Sequence, residues 1–522
     1  MLASRVKRRR MICSATGNHP LTVDVPLLKI PARPLLFSCI RRSPPFITIL
    51  DAYSTSVVRT YSHATKKGAD MDRRQFLQQS SIAAAGTAAG TTILTNPASV
   101  KASPANDKIN LAIVGCRGRG NNLMQDFLKR GDCEVGYICD VQSNLFESRA
   151  AIAEELQGRK PTCVQDFRHA LDDSSVDAVI VATPDHWHAP ATVWSCQAGK
   201  DVYVEKPASH SCWEGRKMVE AARKYERVVQ VGTQCRSASY CMEAKKFLED
   251  GQLGRIHLCR VVNMKMWANP QWAEPSAAPE SLDWDMWLGP ADMRDYNTTY
   301  VTSGWHHMWD FSGGDLANDG VHQVDLARWL VGVELPNKVH CSGSRFDSTG
   351  AADSPDTQIA TLEFDDMLMT FEVTQYTPYM LKTDPVVRNT DMYPYWLQNA
   401  TRIEIYGTDG MMIVGRHGGG WQTFIRPSNR QPVVRGESYG RFPDPEHKEN
   451  FFQCIRNREL PNADIEKGHR SALLVHYSNI SMRVGGRDLT IDPATEAFVD
   501  DAEANALFKR SYRAPWEIKE EV

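Results

Sequence analysis

The sequence predicts an α/β protein in two parts. Residues 103–233 read as a Rossmann domain, a doubly wound parallel sheet, and residues 234–522 as an α+β domain built on strands. Three observations carry this. Short apolar runs alternate with helical stretches from residue 109 to 231. A glycine-rich turn, Gly115-Cys116-Arg117-Gly118-Arg119-Gly120, directly follows the first run. The chain of 522 residues is too long for a single core, and the alternation stops after Val231.

The first strand is Ile109–Val114, followed by a helix reaching Arg130. Further strands read at Glu134–Asp140, Asp177–Ala182, Asp201–Val204 and Val228–Val231, with helical patterns between them. In the second part, strands read at Ile256–Met266, Thr357–Phe364, Leu368–Gln375 and Arg402–Tyr406, and residues 407–410 form a Gly-Thr-Asp-Gly turn. His447–Asn457 and Asp464–Arg483 read as helices packing on the sheet.

Charged residues make up 24% of the chain and hydrophobic residues 42%, which excludes collagen, coiled coil and wholesale disorder. No run of about 20 apolar residues offers a membrane anchor. The net charge of −3 conceals an asymmetry. Residues 1–70 carry +9, residues 71–102 carry +2, and the remainder holds 45 basic against 59 acidic residues. An acidic body argues against nucleic acid as a partner. The 13 cysteines include no C-x-x-C pair, and several, such as Cys116, Cys139 and Cys259, fall in or beside strand patterns, so buried free thiols are expected and no metal site.

Met71-Asp72-Arg73-Arg74-Gln75-Phe76-Leu77 resembles a twin-arginine signature. A modest Ala/Gly-rich apolar stretch follows (Ser81 to Leu94), then a small-residue cleavage site at Val100-Lys101-Ala102. Residues 71–102 thus read as a signal peptide for export to the periplasm, and residues 1–70 as a doubtful basic extension.

The glycine turn approximates the G-x-G-x-x-G dinucleotide fingerprint. Gly115 and Gly120 hold the outer positions, Arg117 the middle one, and Gly118 is displaced by one. Asp140 closes the second strand, where a carboxylate accepts from ribose hydroxyls and repels a 2′-phosphate. This favours NAD over NADP, although Arg117 and Arg119 could hold such a phosphate.

Ala182-Thr183-Pro184-Asp185-His186-Trp187-His188 and Val204-Glu205-Lys206-Pro207 follow two of the strands. With the glycine turn, they resemble the Gfo/Idh/MocA family (glucose–fructose oxidoreductase, inositol dehydrogenase) over residues 108–516. The resemblance implies a C-terminal domain with a large, mainly antiparallel sheet and a homo-oligomer, dimer or tetramer. It makes Lys206 catalytic beside the nicotinamide, with Glu205 alongside and a cis bond before Pro207. It places Thr183, Pro184 and His188 at the cofactor.

Residues 313–325 read as a helix that matches a second family segment, in which an aspartate and, four residues later, a histidine or tyrosine face the substrate. His322 takes the later position as general acid/base. The earlier one is Asn318, so either the neighbouring Asp319 substitutes or the carboxylate is absent. Trp305-His306-His307-Met308-Trp309-Asp310 suits either sugar stacking or an aromatic cluster. The expectation is an NAD-linked oxidoreductase acting on a carbohydrate or cyclitol hydroxyl, with its cofactor tightly held. The alternatives are a redox-neutral NAD-dependent glycosidase and a non-catalytic sugar-binding protein.

Overall fold

The computed structural model describes residues 108–267, 270–346, 350–428 and 431–522. The basic extension and the signal segment lie outside the described residues.

Six parallel strands form the first sheet: β1 (Ile109–Val114), β2 (Cys133–Cys139), β3 (Thr162–Val164), β4 (Ala178–Val181), β5 (Asp201–Val204) and β6 (Val229–Val231), in the order β3-β2-β1-β4-β5-β6. The order reverses between β1 and β4, which pair in parallel from Leu111↔Ala178 to Val114↔Val181. Ligands bind at such a switch point, beyond the carboxyl ends of the strands. Strands β1, β4 and β5 are almost wholly buried because helices cover both faces, and apart from Asn110 and Asp201 they are apolar. Strand β2 ends one residue before Asp140, whose carboxylate instead accepts from the backbone N–H groups of Cys116 (2.8 Å) and Gln142 (3.0 Å).

The helices that frame the site are α1 (Gly118–Leu128), α2 (His188–Gln197), α3 (Cys212–Lys224), α4 (Gly314–Asn318), α5 (Gly320–Val331), α6 (Asp444–Asn457) and α7 (Ile465–Arg483). A capping box opens α3: Ser211 Oγ accepts from Glu214 N, and the Glu214 carboxylate accepts from Ser211 N. This holds the chain that leaves Lys206 and Pro207.

The second sheet contains β7 (Ile256–Met264), β8 (Lys338–Ser344), β9 (Thr357–Glu363), β10 (Leu368–Thr374), β11 (Arg402–Gly407), β12 (Gly410–Gly415), β13 (Trp421–Ser428), β14 (Gln431–Ser438), β15 (Leu489–Asp492) and β16 (Ala497–Phe498). Their order is β14-β13-β12-β11-β7-β10-β9-β8-β15-β16. Pairing is antiparallel except between β7 and β10. Side chains alternate across it: Ala360, Leu362, Met369, Phe371 and Val373 are buried beneath α5 and α7, while Ile359 and Leu368 are exposed.

The segment 313–325 departs from the single helix that the sequence suggests. It breaks at Asp319 (φ −107°), between α4 and α5. Gly320 rests on Phe371 so closely that a Cβ would lie 2.2 Å from the ring. The contact fixes the start of α5 on the sheet, while the Asp319 side chain is drawn to lysines outside the helix. Asn318 and His322 therefore do not share one helical face.

Candidate active site

A groove of about 440 Å³ runs along the carboxyl ends of β1, β4 and β5. Gly115, Arg117, Gly118, Arg119, Asp140, Thr183, Pro184, Glu205 and Lys206 all line it. At one end, α1 begins with no side chain capping its first turn, so its N–H groups face out at the positive end of the helix dipole. The three glycines act differently. Gly115 adopts φ +85°, and a Cβ there would meet the Ala182 carbonyl at 2.7 Å. A Cβ on Gly120 would lie 1.8 Å from the Gly115 carbonyl oxygen, so this glycine packs helix against strand. A Cβ on Gly118 would meet nothing within 4 Å, which leaves the helix start open to the groove.

Arg117 donates to the Gln142 side chain (2.6 Å), beside Asp140. Burial raises the Asp140 carboxyl, while its bonds from Cys116 and Gln142 pull it back down. Arg119 is committed elsewhere: Nε donates to Glu205 at 2.7 Å, and Asp444 lies 3.5 Å from its other end. It thus braces the Glu-Lys-Pro element. Burial raises the Glu205 carboxyl, but Arg119 and Lys206 outweigh that and hold it below its ordinary value.

His188 does not stand among the residues lining the groove. It is 1% exposed, and its ring nitrogens lie 2.6 Å from the Pro207 carbonyl and 3.0 Å from that of Thr183. It ties the loop after β4 to the cis Lys206–Pro207 bond. His186 and Trp187 face the carbonyls of residues 286 and 287, and burial pushes His186 down to about 3. Both are wall residues. Trp305 stacks on His306 at 3.5 Å, and both line the groove near Lys206, whereas His307 is buried.

Lys206 sits at the centre. Its ammonium donates to the backbone carbonyl (2.6 Å) and the side-chain oxygen (3.0 Å) of Asn318. Burial pushes Lys206 down, against the pull of Asp185, Glu205 and Asp319. His322 is 8% exposed and makes no side-chain hydrogen bond among the described residues. Burial, followed by the charges of Arg416 and Lys206, holds it well below its ordinary value, as a neutral imidazole.

Asp319 does not take the place of a carboxylate hydrogen-bonded to His322. Its Oδ2 lies 2.6 Å from Lys265 and 2.7 Å from Lys382, and its Oδ1 lies 4.0 Å from Arg416. Burial opposes its ionisation, but these cations hold it well below the carboxylate range. Sequence reasoning missed Lys265, Lys382, Arg416 and His417. A signal existed for three of these four residues. Asn263 and Lys265 continue the inward register of Val261 on and beyond β7, which makes them polar residues on a buried face. Arg416 and His417 precede Gly418, Gly419 and Gly420, all at positive φ, which mark a tight turn at the end of β12.

The model of an oxidoreductase family with an NAD-binding Rossmann fold, Gfo/Idh/MocA, matches residues 109–233. The model of that family's C-terminal α/β domain matches 241–353 and 410–518. Together they cover more than half of the chain. The protein belongs to the Gfo/Idh/MocA oxidoreductase family.

Myo-inositol 2-dehydrogenase of Thermotoga maritima is 24% identical over 381 residues, 71% of this chain and 95% of the relative. Levoglucosan dehydrogenase of Pseudarthrobacter phenanthrenivorans is 26% identical over 258 residues, 48% of this chain and 57% of the relative. Among solved structures, the WlbA dehydrogenase from Bordetella pertussis, in complex with NADH and UDP-GlcNAcA, superposes with a TM-score of 0.53. It is 23% identical, and the match covers 74% of this chain and 99% of that one.

As a Gfo/Idh/MocA protein, the chain is an oxidoreductase with NAD as its cofactor. Its residues fit that group. The uncapped start of α1 and the open face of Gly118 suit a pyrophosphate, Asp140 suits the ribose hydroxyls, and the buried Thr183 hydroxyl has no protein partner among the described residues.

Proposed function

We propose that this Gfo/Idh/MocA protein oxidises a carbinol of a carbohydrate or cyclitol, with Lys206 and His322 handling the hydroxyl proton. The observation that carries the reading is the Lys206 ammonium in the groove, anchored by two bonds to Asn318 and near enough to His322 for its charge to help keep that imidazole neutral. An ammonium has three N–H groups, so one remains for a substrate oxygen. That bond orients the hydroxyl and stabilises the oxygen as its proton departs. His322, neutral and without a protein hydrogen-bond partner among the described residues, accepts that proton. Asn318 positions Lys206, while Asp319 anchors the lysines around it. Bound nicotinamide supplies the hydride acceptor at C4. Trp305 and His306 offer a flat surface for a sugar ring. The activities named for the relatives, on levoglucosan and myo-inositol, support this substrate class.

The front of the chain adds to the proposal. Arg73 and Arg74, the apolar stretch after them and the small-residue site at 100–102 support export by the twin-arginine route, which carries folded proteins with their cofactor bound. A homo-oligomer is the matching expectation for the assembly. Retention in the cytoplasm after Arg73→Lys/Arg74→Lys, read by cell fractionation, tests the route. Light scattering on the purified protein tests the assembly.

The catalytic reading is tested by supplying NAD⁺ with a panel of sugars and cyclitols and following NADH. Substrate-dependent reduction is expected. Aglycone release from glycosides without net NADH would instead mark a redox-neutral glycosidase, and binding without turnover a sugar-binding protein.

A further inference from the structure

Arg416 stands in an unusual position. The residue is 4% exposed, yet its guanidinium makes no hydrogen bond to any described residue, and its buried Nε has no partner. Its nearest carboxylate oxygen, Asp319 Oδ1, is 4.0 Å away, beyond hydrogen-bonding distance. Phe442 gives it only a ring face at 5.7 Å. A buried Nε–H without an acceptor is costly to the fold, and buried donors are normally paired.

The surroundings sharpen the point. Asp319 already serves Lys265 and Lys382, and Lys265 also holds Asp315 at 2.9 Å. With Lys206, four cations gather around Asp315, Asp319 and Asp185, and burial disfavours the charged form of Asp185. Four cationic side chains thus gather close to the hydroxyl-handling pair.

We propose that Arg416 is a specificity-determining residue that receives an anionic group of the substrate, so that the enzyme acts on an acidic sugar. The proposal rests on the dehydrogenase reading of the same site. A guanidinium presents a planar fork that matches a carboxylate with two parallel N–H···O bonds, and burial strengthens them. Lys382, half exposed at the same carboxylate, is placed to share the charge. A neutral sugar offers no such partner and leaves the buried Nε–H without an acceptor, which is the kind of mismatch that gives strong discrimination.

The test compares glucuronate and gluconate with glucose and myo-inositol, and with glucose 6-phosphate, using NAD⁺-loaded enzyme. The expected result is a kcat/KM for a sugar carboxylate at least about 100-fold above that of its neutral counterpart. A preference for glucose 6-phosphate would assign the anion as phosphate instead. In Arg416→Gln the ratio of acidic to neutral turnover should collapse towards one, and Arg416→Lys should restore part of it, as a point charge without the fork. Melting curves check the fold of each variant, and the wild-type panel stands even if Arg416→Gln fails to fold. Equal turnover of neutral and acidic sugars, or an unchanged ratio in the variants, overturns the proposal. Calorimetric titration with glucuronate separates the two readings. Binding that is lost in Arg416→Gln, without any turnover, supports the anion site and defeats the dehydrogenase. Turnover of neutral sugars without glucuronate binding does the reverse.

Discussion

The ammonium of Lys206 donates to both oxygens of a single residue, the main-chain carbonyl of Asn318 at 2.6 Å and its side-chain oxygen at 3.0 Å. The first bond survives substitution at 318, and the second is lost when the side-chain oxygen is removed. Asn318→Ala is expected to lower kcat/KM about 10-fold to 100-fold, as the loss of one charge-assisted bond implies, with NADH affinity unchanged. Asn318→Asp sets a carboxylate against the ammonium and raises the Lys206 pKa, so the alkaline limb of the pH–rate profile should move up. Steady-state profiles with a fluorescence titration of NADH check both.

His322 is held well below its ordinary value by burial, then by Arg416 and Lys206. A base with a depressed pKa remains neutral, hence competent, at pH values where a free histidine is protonated. The acid limb of kcat/KM should therefore lie below pH 6.5. His322→Gln should remove that limb and cost about 100-fold or more in kcat.

The glycine turn separates folding from binding. Gly118→Ala places a methyl where no protein atom lies within 4 Å, so its melting temperature should match wild type while NADH binding weakens. Gly120→Ala drives a methyl into the Gly115 carbonyl, at 1.8 Å, and should cost about 3 kcal/mol of stability. Thermal melts with and without NADH distinguish the two.

Arg236 and Asp325 form a salt bridge buried on both sides, with contacts of 2.8 to 3.0 Å and a further bond from Ser471 Oγ at 2.7 Å. It ties the start of the second domain to α5 and α7. Arg236→Met leaves Asp325 unpaired and should cost about 3–5 kcal/mol, whereas Arg236→Met with Asp325→Leu should recover much of that loss. Denaturant melts on the two variants and wild type give the comparison.

Several buried histidines carry depressed values: His186 and His476 at about 3, His307 and His447 at about 4. The unfolded chain binds these protons near pH 6.5, and the folded chain does not. Their stabilising contribution is complete above pH 6.5 and is lost as pH falls towards 4 and below. The melting temperature should therefore fall across this window, and a pH series of thermal melts measures it.

The parts legible in the sequence were those governed by local pattern. Ile109–Val114, an apolar run with one polar interruption at Asn110, and Asp201–Val204 are short strand patterns within the sheet, and the structure reproduces both boundaries. Strand β3 escaped notice because it has only three residues, none of them fully buried, and no period to read. The break at Asp319 and its lysine partners were illegible because they arise from tertiary contacts. Gly320 at the start of α5 rests on Phe371 of β10, and Lys265, Lys382 and Arg416 reach one carboxylate from three separate parts of the chain. The same pattern explains His188, whose motif placed it at the cofactor and whose ring in fact joins two loops behind it.

The central claim is that Lys206 acts on the reacting hydroxyl. It is tested most directly by Lys206→Ala, through single-turnover reduction of NAD⁺ by the best substrate of the panel together with an NADH titration. The expected result is NADH binding close to wild type and a hydride-transfer rate about 1,000-fold lower. A variant that reduces NAD⁺ at the wild-type rate would contradict the account.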